Sequence, residues 1–407
     1  KSIGGEKMNY RKDFPMLEKD IVYFDNGATT FKPNCVIDKM CDYYKNYSSN
    51  AHRGDYSLSL KASDEYEIVR DKVKELINAS RREEIIFTSG STESLNEIVN
   101  GYFKYNLKPG DEVLLTKAEH ASNILPWFEL ENEMGIKVNY IPLTSNHEVT
   151  IENVIKSITD KTKVISIAHI SNVIGDVRPI KEIINYAHKK GILVVVDGAQ
   201  SVGHTNVDVQ DLDIDFLAIS AHKMLGPTGV GVLYGKYELL DKIKPTKVGG
   251  GMNIAFVSPS EIEYKELPYR LEAGTGNIAG VIGFGSAIDY INNIGIDNIE
   301  EYCDELKHYI INGLKKLKNV KIYNENVEGA TVAFNIDGVF AQDTAIYLDK
   351  YNICVRSGSH CAKKLEDELG IKNTCRVSIY FYNNKEDADK LIKALDNDRI
   401  LEESLGV

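Results

Sequence analysis

Through the first two thirds of this chain, short runs of β-forming residues alternate with stretches of helical periodicity, and that rhythm restricts the fold more than any other feature. The runs fall at 84–88, 112–116, 138–141, 164–168, 192–196, 216–219 and 230–234. Helical patterns lie between most of them, as at 91–104 and 179–190. Strands that alternate with helices pair mainly in parallel and bury both faces of their sheet. The expectation is therefore an α/β fold with a mostly parallel seven-stranded sheet. Ligands of such sheets gather at the carboxyl ends of the strands.

Two Gly-rich stretches, 248–253 and 272–285, break the rhythm. After Asp297 the pattern changes: a long helix to about Lys318, strands at 320–323 and 330–336, a helix at 342–351, strands near Val355 and Val377, and a last helix from Lys385. A chain of 407 residues also exceeds the size at which one core usually keeps growing. Two domains are expected: a large one over 21–290 and a smaller α+β one over 291–407, with residues 1–20 packing against the second. Met8 is read as a native start preceded by an added remnant.

Composition excludes several classes. Acidic residues number 60 against 48 basic ones, a net charge of −12 without long blocks. Nucleic acid is not the expected partner, because phosphate binding needs a concentrated basic surface. No apolar run approaches the roughly 20 residues that cross a bilayer, and 1–7 lacks the apolar core of a secretory signal. No membrane partner and a cytoplasmic location are expected. The six cysteines are scattered with no CxxC pair, as reduced thiols would be, and no metal site is expected.

The chemistry centres on VVVDGAQS and AISAHKMLGPTG. Asp197 closes one run of β-formers and Lys223 follows another. A carboxylate beside a pyridine nitrogen keeps it protonated, and a partly desolvated lysine amine can bond an aldehyde. Together they suggest pyridoxal phosphate; singly, Asp197 could cap a turn and Lys223 could be a surface lysine. In IIFTSGSTESLNEIV, residues Gly90, Ser91 and Thr92 stand where a strand becomes a helix. N–H groups and small hydroxyls there suit a phosphate, or form a simple cap. Ser220 and His222 add further phosphate ligands.

His120 follows a strand and could lie over a pyridine ring or belong to the core. Asn172 could donate to cofactor or substrate, or form a turn. Arg356 and Arg376 sit in apolar β-like surroundings, where an unpaired guanidinium is costly. Arg376 suits bidentate capture of a carboxylate, or a structural salt bridge. Cys361, in a Gly/Ser/His loop beside His360, is a better nucleophile candidate than Cys354 or Cys375 in strand-like runs.

These segments resemble a known set. YFDNGATTFKP, NAHRG, FTSGSTESLN, EHASNILPW, SNVIG, VDGAQSVGH, SAHKMLGPTGVGVLYG, GGGM, LEAGTGN, RSGSHCA and CRVSIYFYN resemble, in order, the fold-type I pyridoxal-phosphate enzymes of the class V aminotransferase group. Within it they are most similar to the group II, SUF-type cysteine desulfurases. The resemblance implies that Lys223 bonds the cofactor aldehyde, Asp197 faces the pyridinium, Gln200 contacts the ring hydroxyl and His120 stacks on the ring. It implies that Ser91, Thr92, Ser220 and His222 hold the phosphate, with Thr275 reaching it from the other subunit of a homodimer. Arg376, Arg356 and Asn172 would bind substrate, His52 and Arg53 would lie near the site mouth, and Cys361 would accept the sulfur. Ser359 stands where relatives often carry a second histidine, EHASN replaces EHHAN, and TGN replaces TPN.

The implied reaction converts L-cysteine to L-alanine and leaves a persulfide on Cys361. A SUF-type acceptor protein would take the sulfur toward iron–sulfur clusters or other thio-cofactors. Selenocysteine lyase, a transaminase or epimerase, and a protein that merely holds the cofactor are the rivals; the pairing of Arg376 with Cys361 favours the desulfurase.

Overall fold

The structure, a computed structural model, describes residues 10–258 and 261–405. Met8 and the segment before it lie outside the described residues. Seven strands form the main sheet: β1 Ile85–Thr88, β2 Glu112–Thr116, β3 Lys137–Ile141, β4 Thr162–Ala168, β5 Leu193–Asp197, β6 Phe216–Ser220 and β7 Gly231–Gly235. Their spatial order is β1-β7-β6-β5-β4-β2-β3. All pairings are parallel except those of β7, which runs antiparallel to both β1 and β6. The expected mostly parallel sheet is present, with every strand within two residues of its predicted bounds.

Burial on both faces explains the composition of the central strands. Val194, Val195 and Val196 of β5 and Phe216, Leu217 and Ala218 of β6 are fully buried. Burying each large apolar side chain contributes about 1.5–3 kcal/mol. The two faces feed separate cores, one containing Val194 and Val196, the other Val195 and Phe216.

The later region builds a four-stranded antiparallel sheet from Val320–Ile322, Thr331–Ile336, Thr374–Ser378 and Arg356–Gly358, in that spatial order. Helices Ile296–Leu314, Ala341–Asp349 and Lys385–Leu395 accompany it. The N-terminal turns reach this region: Arg11 pairs with Asp387 at 2.7 Å, and Tyr10 meets Phe381 edge to face. No described helix is long and apolar enough to cross a membrane.

Three elements differ from expectation. The stretch 272–285 does not simply interrupt the fold, because the helix Ile278–Ile294 runs through it. Its glycines are there for close packing: a Cβ on Gly283 would come within 2.6 Å of Met40 Cγ, and one on Gly285 within 2.7 Å of Val69 Cγ2. Helices Asn34–Asn46 and Ser57–Leu76 press against that face. A hairpin, Asn253–Ser258 with Glu261–Tyr264, follows the other Gly-rich stretch. The helix expected over 91–104 is α-helical at Ser91–Glu97, widens into a π-turn at Ile98–Phe103 and returns to α at Lys104–Asn106.

Candidate active site

The carboxyl ends of the strands converge on one cavity of about 180 Å³. Asp197 ends β5, Ser220 ends β6, and Lys223 closes the 3-10 turn that follows. His120 lies four residues beyond β2 and Asn172 four beyond β4. From the four-stranded sheet come Arg356 and Arg376, directly opposite one another on adjacent antiparallel strands. Ser91, Thr92, Gln200, His222 and His360 complete the lining.

Burial tunes these groups. Desolvation pulls the Lys223 amine down to about 8, against the attraction of Asp197. Desolvation also raises the Asp197 carboxyl, while the Lys223 charge and the Ala199 N–H at 3.0 Å pull it the other way. His120 is lowered to about 4 by burial and by the charges of Lys223, Arg356 and Arg376. The Ser122 N–H donates to its Nδ1 at 3.1 Å, which leaves the proton of the neutral ring on Nε2.

Four of the five predicted phosphate ligands, Ser91, Thr92, Ser220 and His222, line this cavity. Ser91 N–H donates to Ser220 Oγ at 3.0 Å, and the two hydroxyls are 2.7 Å apart. Close approach here demands glycine: a Cβ on Gly231 would lie 2.4 Å from the Gly90 Cα. Thr92 Oγ1 lies 2.7 Å from Ser122 Oγ. His222 is lowered to about 4 by burial, and its Nδ1 has no hydrogen-bond partner.

Arg376 is 2% exposed. Its Nη1 donates to the Asn172 carbonyl at 2.8 Å and its Nη2 to Asp25 Oδ1 at 3.1 Å. Desolvation lowers its pKa, and Asp25 opposes that. With Arg356 beside it, this end of the cavity has two guanidiniums against one carboxylate and suits an anionic ligand.

Cys361 is exposed and stands outside the cavity lining, next to His360. Its carbonyl accepts from the Ala121 N–H at 2.7 Å, which joins the cysteine loop to the His120 loop. Thr275, His52 and Arg53 are not brought to Lys223 within this chain. They line a second cavity, where Asn50 Nδ2 donates to Thr275 Oγ1 at 3.1 Å and His52 Nε2 lies 3.1 Å from Glu67 Oε1.

Sequence reasoning assigned no role to several groups that shape the site. Asp25, in the motif YFDNG, pairs with Arg376 from 351 positions away. Ser122 bridges His120 and Thr92. The fully buried Arg178 joins Glu119 and Asp176, tying the segment before His120 to the loop that carries Asn172. His204 Nε2 donates to the Lys223 carbonyl at 2.9 Å from behind the turn. The signal for His204 was its place in VDGAQSVGH; its partner was not legible.

The donor set fits a pyridoxal phosphate. Four buried polar atoms of the lining, Asn172 Oδ1, His222 Nδ1, His360 Nδ1 and Arg376 Nε, have no partner among the described residues. Such groups are costly unless a polar ligand satisfies them. A lysine amine, a buried carboxylate, a neutral imidazole and a cluster of hydroxyls provide for an aldehyde, a ring nitrogen, a ring face and a phosphate respectively.

The family profile described as aminotransferase class-V matches residues 22–391. The chain belongs to the class V aminotransferase family. A probable cysteine desulfurase of Halalkalibacterium halodurans is 45% identical over 391 residues, covering 95% of this chain and 96% of the relative. Among solved structures, a cysteine desulfurase of Thermococcus onnurineus superposes with a TM-score of 0.92 at 36% identity, covering 100% of both chains. One from Escherichia coli gives a TM-score of 0.91 at 36% identity, covering 98% of this chain and 99% of its own. The family assignment agrees with the α/β architecture and with the resemblance read from the motifs.

Proposed function

We infer that this protein is a pyridoxal-phosphate-dependent cysteine desulfurase that converts L-cysteine to L-alanine. The observation that carries the reading is the meeting, at one cavity, of the Lys223 and Asp197 pair with Arg376 and the Cys361 loop. Relatives named as cysteine desulfurases match it over nearly its whole length.

Bound in this cavity, pyridoxal phosphate supplies an aldehyde that links to amines and a ring that takes up electrons released at the substrate Cα. Lys223 Nζ, in the cavity lining, would hold that aldehyde and, as a free amine, would move the Cα proton. Its pKa, lowered to about 8, leaves roughly a tenth of the free amine unprotonated at pH 7, far more than an ordinary lysine would have. Asp197 would hold a proton on the ring nitrogen, and Gln200 would contact the ring hydroxyl. His120, neutral with its proton on Nε2, would lie against the ring face. Ser91, Thr92, Ser220 and His222 receive the phosphate. Arg376, aided by Arg356 and Asn172, orients the substrate carboxylate. The Cys361 thiolate attacks the substrate sulfur; the S–S bond forms, the C–S bond breaks, and its electron pair and a proton remain with alanine.

With purified protein, L-cysteine and a reductant, alanine and sulfide appear in equal amounts. Pyruvate with ammonia, or alanine without sulfide, would contradict the reading.

The proposed working unit is a homodimer in the cytoplasm that passes sulfur to a SUF-type acceptor protein. Residues 21–290 form its large domain, and 291–407 with the N-terminal stretch form its small one. Thr275, His52 and Arg53 lie apart from Lys223 in their own chain, so a role for Thr275 at the phosphate, and for His52 and Arg53 at the site mouth, requires a second chain. Co-expression checks this. Chains carrying Lys223→Ala and chains carrying Thr275→Trp are each inactive as homodimers, but mixed dimers regain activity, up to about half the activity per dimer if sites work independently. Verified mixed dimers of folded parents that show no rescue confine Thr275 to its own subunit.

A further inference from the structure

The cysteine loop lies between the strand Arg356–Gly358 and the helix Lys363–Leu369. Two adjacent non-glycine residues in it are left-handed, His360 with φ 52° and Cys361 with φ 57°. That backbone is disfavoured for L-residues and persists only where the surroundings hold it. Three contacts do so. The Ala121 N–H donates to the Cys361 carbonyl at 2.7 Å, and the His360 ring holds Thr374 through Nε2 at 3.0 Å from its carbonyl and 2.9 Å from its hydroxyl. The third is Asn172, whose Nδ2 donates to the His360 carbonyl at 2.8 Å.

Of the residues that hold the loop from outside it, Ala121, Thr374 and Asn172, Asn172 alone lines the cavity. It is 5% exposed, its backbone carbonyl accepts from Arg376 Nη1 at 2.8 Å, and its Oδ1 is buried without a partner. One residue therefore bridges the guanidinium that orients substrate and the loop that presents the thiol.

We propose that Asn172 is a positioning residue for Cys361, its side-chain amide clamping the cysteine loop through the His360 carbonyl. The proposal rests on the reading of Cys361 as sulfur acceptor. It gives Asn172 a task that precedes substrate binding. A side chain that only met the substrate carboxylate would leave the loop indifferent to its removal.

Hydrogen exchange of the holoenzyme in the absence of cysteine tests the clamp. Asn172→Ala raises exchange of the amides in 359–362 about fivefold, the factor that loss of one hydrogen bond supplies, and leaves the main sheet unchanged. Asn172→Asp, equal in size but without the donor, gives the same local increase and stands in if the alanine variant folds poorly. With cysteine added, kcat for persulfide formation on Cys361 falls about tenfold or more in either variant, as misplacement of a reacting group requires, beyond any rise in KM. Unchanged loop exchange, or a change in KM alone, overturns the clamp and leaves the desulfurase reading intact. A native enzyme that forms no persulfide on Cys361 overturns the acceptor reading, and the clamp with it.

Discussion

Lys223→Ala leaves a folded protein that no longer bonds pyridoxal phosphate covalently and loses cysteine desulfuration by at least about 10⁴-fold. The size of the effect follows from the two tasks of one amine, anchoring the aldehyde and moving the Cα proton. Among the described residues no other lysine lines the cavity. Lys32 stands outside that lining and donates to the Thr30 and His222 carbonyls. The variant retains some cofactor non-covalently, because the phosphate cluster and Asp197 are untouched. Borohydride reduction followed by peptide mapping checks the assignment: the pyridoxyl group is found on Lys223 in the native protein and on no lysine in the variant. Labelling of a different lysine in the native protein would falsify it.

Cys361→Ser produces the opposite division of properties. The yellow cofactor band and its change on adding cysteine persist, since Lys223, Asp197 and Arg376 come from segments the substitution does not alter. Persulfide disappears, and sulfide release with alanine drops by at least about 10³-fold, the scale of losing a reacting nucleophile. A hydroxyl of ordinary acidity cannot replace a thiolate in attack on sulfur. The other cysteines do not substitute for it: Cys303 and Cys375 are buried, with Cys375 pushed up to about 12 by burial, and none but Cys361 adjoins the His120 loop. Intact-mass measurement after a cysteine pulse reads the result. A mass gain of one sulfur in the variant, mapped to another residue, would relocate the acceptor.

What was legible in the chain was what local physics encodes. Runs such as LVVVD and FLAIS announce strands buried on both faces, and residues placed just past those runs fall at the carboxyl ends of a parallel sheet. That is why the sequence points to Asp197, Lys223, His120 and Asn172 as one site, and they share one cavity. The helix Ile278–Ile294 was missed because its glycines contradict helical propensity; they make sense only against Met40 and Val69, far away in sequence.

The sequence by itself thus determined the strand pattern, the family and the identity of the chemical groups, because strand and helix formation and motif spacing act over a few residues. The tertiary structure alone decided how those groups are held. The Asp25 carboxylate on Arg376, His204 behind Lys223 and the Asn172 amide on the cysteine loop join positions 351, 19 and 188 apart. Each depends on which unsatisfied donor and acceptor the packed core brings within about 3 Å, and no local pattern specifies that pairing.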